Sequence, residues 1–348
     1  MGCRETTFLV FKRPQPLKKN KDNRTKTLNL KFKIRLHLKS PVNRLYSSTL
    51  TALQKSRKTV WWLLKLILPI SLSVSFLQYW GVIAWIATYL KPIFSLIGLP
   101  GESAVVFITS LFVPLYGPIA VISTLPLTIR EITILAIMCL ITHNLFMETA
   151  IQKKTGSSAV ALLILRPVMS FIAAFGLNLV LPEHIGAIHA VQKSIAFGSV
   201  GDMLLNWIQT AGYLSLKIAI IVSGLMILQS ILKEFNILPI ISKIFAPFMR
   251  VMGLTDESSF LWFVAQTLGL TYGSAVMLEE VENKEITPYS ANLLNFHIAI
   301  NHSLLEDTLL FVAIGVPIGW ITIPRIILAM IVVWCLRLIQ NRRKTLKL

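Results

Sequence analysis

The chain has 348 residues, of which 54% are hydrophobic and only 14% charged, with a mean hydropathy of +0.68 and a formal net charge of +18. The apolar residues fall in long runs rather than in an amphipathic rhythm, which excludes a soluble globular domain and predicts an all-α, polytopic helical membrane protein. Cys3, Cys139 and Cys335 have neither disulfide nor metal-ligand spacing, so no disulfide framework and no thiolate site is expected.

Residues 1–60 read as a basic leader. It carries 16 Lys/Arg against Glu5 and Asp22, so +14 of the +18 lies there. Its composition is that of a disordered cytoplasmic extension. Lys31, Lys33 and Arg35 alternate with Phe32, Ile34 and Leu36, a pattern that suits an anionic lipid surface better than nucleic acid. Met1-Gly2-Cys3-Arg4-Glu5-Thr6 matches the short myristoylation pattern, and the scarcity of acids also fits an organelle transit peptide; both are minor alternatives. By the positive-inside rule, this leader and the basic tail 339–348, with Arg342, Arg343, Lys344 and Lys347, predict two cytoplasmic termini in a multi-pass protein of the inner cell membrane. An even number of crossings follows.

The next segments are predicted spans near 61–79, 82–98 (short), 103–126, 131–149 and 157–181, which make a first repeat, 61–181. A linker over 182–213 holds Glu183, Lys193 and Asp202 and reads as an interfacial helix. A second repeat, 214–338, has spans near 214–232, 237–252 (short), 258–278, 287–306 and 309–338. Residues 104–129 and 258–278 contain no Asp, Glu, Lys or Arg and reach the roughly 20 residues that cross a bilayer core as a helix.

The two repeats align in order: Pro92 with Pro247, Gly98 with Gly253, Leu99 with Leu254, Glu102 with Glu257, Ser103 with Ser258, and after one insertion Tyr116-Gly117 with Tyr272-Gly273. Internal duplication with about eight to ten membrane segments, some short or re-entrant, is the expected architecture. Five crossings per half would invert the second copy, whereas four would leave the copies parallel.

Each half then places ionisable groups in apolar sequence. The first has His143, Asn144 and Glu148, with Arg166 18 positions after the glutamate; the second has Asn301, His302 and Glu306, with Arg325 19 positions on. Charged side chains within membrane helices face the interior and find partners, so these eight residues are the candidate substrate or ion site, with the arginines as counter-charges. The competing expectation is architectural: Glu148 pairs with Arg166 and Glu306 with Arg325, and nothing is transported. Lys153-Lys154 directly after Glu148 would place that carboxylate near the interface. No H-E-x-x-H helix and no G-x-x-x-x-G-K-[ST] loop occurs, so no catalytic residue, enzyme activity or cofactor is expected, and a metal ligand set stays unassigned.

The strings Thr142-His143-Asn144-Leu145-Phe146-Met147-Glu148 and His302-Ser303-Leu304-Leu305-Glu306-Asp307-Thr308-Leu309-Leu310-Phe311, each followed by its arginine, resemble bacterial membrane proteins with the nucleoside-recognition, or Gate, domain. Gly98-Leu99-Pro100-Gly101-Glu102-Ser103 fits the family as well, while Thr255-Asp256 departs from it. The resemblance covers about residues 60–340 and extends to spore maturation proteins A and B and to the membrane part of ferrous-iron transporters. It implies two Gate-like repeats in one helical unit and a solute transporter or permease component for a nucleoside or an ion. The alternative it implies is a non-transporting assembly or maturation factor. A lipid bilayer, and a second Gate-family protein or a second copy of the chain, are the expected partners; nucleic acid is not. Unlike the iron transporters, the chain has no cytosolic G-domain and no Cys placed to guide iron, which counts against metal transport.

Overall fold

A computed structural model describes residues 41–183, 185 and 199–345. The leader up to residue 40, Lys193 and Lys347 lie outside the described residues, as does the side chain of Tyr272. Among the described residues there are thirteen α-helices and no strand.

The first is α1, Pro41–Tyr79, of 39 residues. Its residues 41–60 are helical, where the sequence reading places disordered leader. Ser48, Ala52 and Ser56 recur at a spacing of four and are buried, whereas Lys55, Arg57 and Lys58 are exposed, so this basic stretch has a face to bury. At 1.5 Å per residue α1 is about 58 Å long, roughly twice a bilayer core. The short α2, Val82–Ser95, ends at Gly98, and α3, Ser103–Phe112, is followed by extended Val113, Pro114 and the seven-residue α4, Tyr116–Ile122. The predicted span 103–126 is therefore interrupted, because Pro114 has no N–H with which to continue the helix.

A capping box between Thr128 and Glu131 opens α5, Ile129–Thr142. The chain breaks at His143-Asn144, resumes as α6, Leu145–Lys154, and turns into α7, Ala159–Val180. In the second half α8, Val200–Glu234, starts where the Ser199 hydroxyl accepts from the Asp202 amide. It thus takes over residues 200–213 from the predicted linker. There follow α9, Ile237–Val251; a 3-10 turn, Asp256–Ser258; and α10, Ser259–Glu282, with Gly269 at φ 82°, ψ 166°. The predicted span 287–306 stops early, at the end of α11, Pro288–Ile300. The last predicted span is split into α12, Glu306–Val312, and α13, Ile318–Thr345.

Two glycines that align in the sequence also share a conformation. Gly98 (φ 71°) and Gly253 (φ 75°) end α2 and α9 with the same pair of bonds: the Leu99 amide to Phe94 O and the Gly98 amide to Ser95 O in one, the Leu254 amide to Met249 O and the Gly253 amide to Arg250 O in the other. Left-handed backbone at this position is the usual glycine helix stop.

Five helical stretches are long and apolar enough to cross a membrane: Pro41–Tyr79, Ile129–Lys154, Ala159–Val180, Val200–Glu234 and Ile318–Gln340. Val82–Ser95 and Ser103–Phe112 are shorter apolar helices. In the apolar 18-residue segment of Ile129–Lys154, 72% is buried within the protein against 22–39% in the corresponding segments of the other four, so it is the centre of the fold. There α5 packs on α7, and α13 packs on α5, α7 and α11. The outer helices expose Trp61, Trp62, Trp80, Trp85, Ile220 and Phe248, an apolar and aromatic surface suited to lipid.

Candidate functional site at two helix breaks

The centre of the protein holds two helix interruptions of the same construction. After α5, His143 leaves helical geometry (φ −55°, ψ 148°) and Asn144 is left-handed (φ 50°). After α11, Asn301 is extended and Ser303 is left-handed (φ 49°). Asn tolerates that region and serine does so at some cost, and in each case bonding to a neighbouring helix holds it there. The Asn144 amide donates to Ser110 O and Val113 O on the α3 side, and the Ser303 amide donates to Ala265 O of α10.

Each break leaves carbonyls at a helix C-terminus with no intrahelical partner, which is costly inside a membrane. An arginine satisfies them in both places. Arg166 of α7 donates from Nε to Ile141 O (2.6 Å) and from Nη2 to His143 O (2.8 Å). Arg325 of α13 donates from Nε to Ile300 O (3.5 Å) and from Nη2 to His302 O (2.6 Å). Sequence separations are identical in the two sets, 25 and 23 residues. Both arginines are fully buried, and their positive charge complements the negative helix ends.

The imidazoles beside these carbonyls are fixed in orientation and tautomer. His143 Nδ1 lies 3.0 Å from Cys139 O and His302 Nδ1 lies 2.8 Å from Ile298 O. A carbonyl oxygen only accepts, so each Nδ1 carries a hydrogen, and in the neutral imidazole each Nε2 then presents a lone pair. The two Nε2 atoms face each other at 3.3 Å.

Carboxylates close the cluster. Glu148, in the first turn of α6, places Oε1 at 3.3 Å from His143 Nε2 and 3.5 Å from His302 Nε2, while its Oε2 pairs with Arg166 Nη2 at 2.8 Å. Asp307, in the first turn of α12, places Oδ2 at 3.5 Å from His143 Nε2 and 3.9 Å from His302 Nε2. That oxygen is buried without a hydrogen-bond partner. Both acids stand at the positive N-terminal ends of their helices.

The structure thus brings together His143, His302, Glu148, Arg166 and Arg325 of the eight candidates. Asn144 and Asn301 shape the breaks instead: Asn144 by its backbone, and Asn301 by a carbonyl that accepts from Gln266 Nε2 at 2.6 Å. The Asn301 amide nitrogen and oxygen are fully buried with no hydrogen-bond partner. Glu306 stands beside the cluster, accepting from the Tyr116 hydroxyl (3.1 Å) and Gln229 Nε2 (3.5 Å). Among the described residues no ion pair joins it to Arg325, so the expected second Glu–Arg pair is corrected. The partner of Glu148 in the other half is Asp307, because only the second residue of α12 turns back toward the histidines. Its signal was in the sequence: His143 to Glu148 and His302 to Asp307 are both five residues apart. Gln266, whose Oε1 also accepts from the Leu304 amide, and Gln229 carried no such signal.

The family model for Gate, nucleoside recognition, matches residues 60–177, which include α5, the first break and Arg166. The uncharacterized membrane protein YvoD of Bacillus subtilis (strain 168) is 31% identical over 287 residues, 81% of this chain and 91% of the relative. The chain belongs to the nucleoside-recognition (Gate) family of membrane proteins. No solved structure matches it. In this Gate protein the second break, with His302 and Asp307, lies beyond the matched region.

Proposed function

We propose that this Gate protein is a solute permease or the membrane component of one, with the His143–Glu148–His302–Asp307 cluster as its substrate or ion site. The observation that carries the reading is the meeting of two interrupted helices at four buried ionisable side chains whose facing atoms lie 3.3–3.9 Å apart. Interrupted helices whose ends and side chains face a shared centre are a construction that transporters use to bind charged cargo. The repeated His-to-acid and His-to-Arg spacings support an internal duplication of 61–181 and 214–338. The protein resides on this reading in the inner cell membrane with both termini cytoplasmic, alone as a homo-oligomer or beside a second Gate-family chain, and has no catalytic step. Nucleoside recognition is the family's description and makes nucleosides one substrate class to test.

One observation favours the alternative of a non-transporting assembly or maturation factor: Arg166 and Arg325 are engaged by backbone carbonyls, as a purely architectural core would have them. Uptake into proteoliposomes by the purified chain decides between the two, with nucleosides, divalent cations and organic anions as candidate cargo. Glu148→Gln and Asp307→Asn should abolish uptake while the protein stays monodisperse. No uptake of any class, together with wild-type behaviour of both variants in cells, would leave the assembly reading standing.

A further inference from the structure

We infer that His143, His302, Glu148 and Asp307 form a coordination site for one divalent transition-metal ion, bound through the two Nε2 atoms and one oxygen of each carboxylate. The inference deepens the permease reading by naming the cargo class of its site. The first argument is the direction of the lone pairs. With both Nδ1–H groups committed to Cys139 O and Ile298 O, two imidazole lone pairs face each other at 3.3 Å and face two carboxylate oxygens as well. With both imidazoles neutral, four electron-rich atoms converge there with no hydrogen among them, an arrangement that a divalent cation at their centre neutralises.

The second argument is size. Four ligands about 2.0–2.1 Å from a tetrahedral centre stand about 3.3–3.4 Å from one another. The five edges that meet an imidazole are 3.3, 3.3, 3.5, 3.5 and 3.9 Å, and Asp307 completes the tetrahedron by moving toward Glu148 as the ion binds. His143, Glu148 and His302 alone already keep their ligand atoms within 4.8 Å of one another while fully enclosed. A third argument is the donor set. Two imidazoles select against magnesium and calcium, which take six or more oxygens, and for borderline first-row divalent ions. The supporting bonds also fit. Histidine ligands usually donate their other N–H to a carbonyl or carboxylate, which both do here, and Arg166 holds the far oxygen of Glu148 so that Oε1 faces the centre. The absence of a cysteine pattern in the sequence counted against metal; nitrogen and oxygen ligands from two distant segments need none.

The test uses the full chain in detergent or nanodiscs, stripped with chelator and titrated with Co²⁺, then with Zn²⁺. One ion per chain is expected, with the strong visible d–d bands of four-coordinate cobalt, lost stoichiometrically as Zn²⁺ displaces it. X-ray absorption of the zinc form should show two imidazole nitrogens among nitrogen and oxygen neighbours at about 2.0–2.1 Å. His302→Gln and Asp307→Asn should each weaken binding by more than the about 10–100-fold that loss of a supporting partner costs. Asp256→Asn, an exposed acid of the α9–α10 turn, should leave it unchanged. Failure of folded wild-type protein to bind either ion, six-coordinate cobalt spectra, or unaltered affinity in both ligand variants overturns the inference. A variant that does not fold leaves the decision to the wild-type spectra. Metal bound in this way with no solute of any class moved across proteoliposomes would sink the permease reading and keep the site; nucleoside uptake that needs Glu148 but no metal would do the reverse.

Discussion

Arg166 and Arg325 act on backbone carbonyls first and on carboxylates second. Each takes two carbonyls that a broken helix leaves unpaired, and among the described residues only Arg166 of the two also pairs directly with an acid. Losing Arg325 therefore strands Ile300 O and His302 O, and a buried acceptor left unpaired costs about 1–3 kcal/mol. Arg325→Gln should lower stability by about 2–6 kcal/mol in a detergent denaturation series, and adding Glu306→Gln should restore none of it, since the two do not touch. In the other half, Glu148→Gln should recover part of what Arg166→Gln loses, because it removes the charge left behind. Recovery in the Glu306/Arg325 pair would contradict the contacts described. A functional comparison follows at the same scale: Asp307→Asn should abolish uptake, while Glu306→Gln, which loses only its charge beside Tyr116 and Gln229, should retain a measurable fraction of it.

At the scale of the helix, interruption is what creates the site. A continuous α5–α6 would turn His143 and Glu148 to different faces, since residues five apart on a helix are about 500° of rotation, or 140°, out of line. The break removes that separation and lets one helix end present an imidazole and the next helix start present an acid. Gly269 supports the second break, its would-be Cβ position lying 3.4 Å from Ser303 Oγ. Its backbone (φ 82°, ψ 166°) is open to essentially glycine alone. Gly269→Ala should therefore cost on the order of 1–3 kcal/mol, read as a lower melting temperature in detergent. Gly176→Ala, in regular α7 with open space at its Cβ, should not lower it. Equal melting of the two variants would mean that α10 runs straight through Gly269.

At the scale of the molecule, lipid-facing helices enclose a polar centre. The exposed surfaces of the second half of α1 and of α8 are largely apolar, and the length of both helices exceeds a bilayer core, so their ends project beyond it. Both ends of the chain are strongly basic, and the expected topology places both in the cytoplasm. Reporter fusions ahead of residue 41 and after residue 345 check this: activity in the same cytoplasmic compartment is expected, and opposite compartments would require an odd number of crossings.

Composition and run length alone determined the class. A chain this apolar has to be a helical membrane protein, because only helices satisfy their own backbone within one segment. The glycine stops at 98 and 253, the buried arginines and the two histidines were legible too, since an ionisable or left-handed position in apolar sequence has few bland explanations. Helix breaks within apolar runs were not, because hydropathy reports burial and says nothing of whether the backbone is continuous. That is why the spans 103–126, 131–149 and 287–306 came out whole. The choice between Glu306 and Asp307 was marked in the sequence only by the shared five-residue spacing from each histidine, and tertiary structure made it. Adjacent acids are equivalent by composition, and only the direction in which α12 leaves the second break sends Asp307 to the histidines and Glu306 to Tyr116 and Gln229.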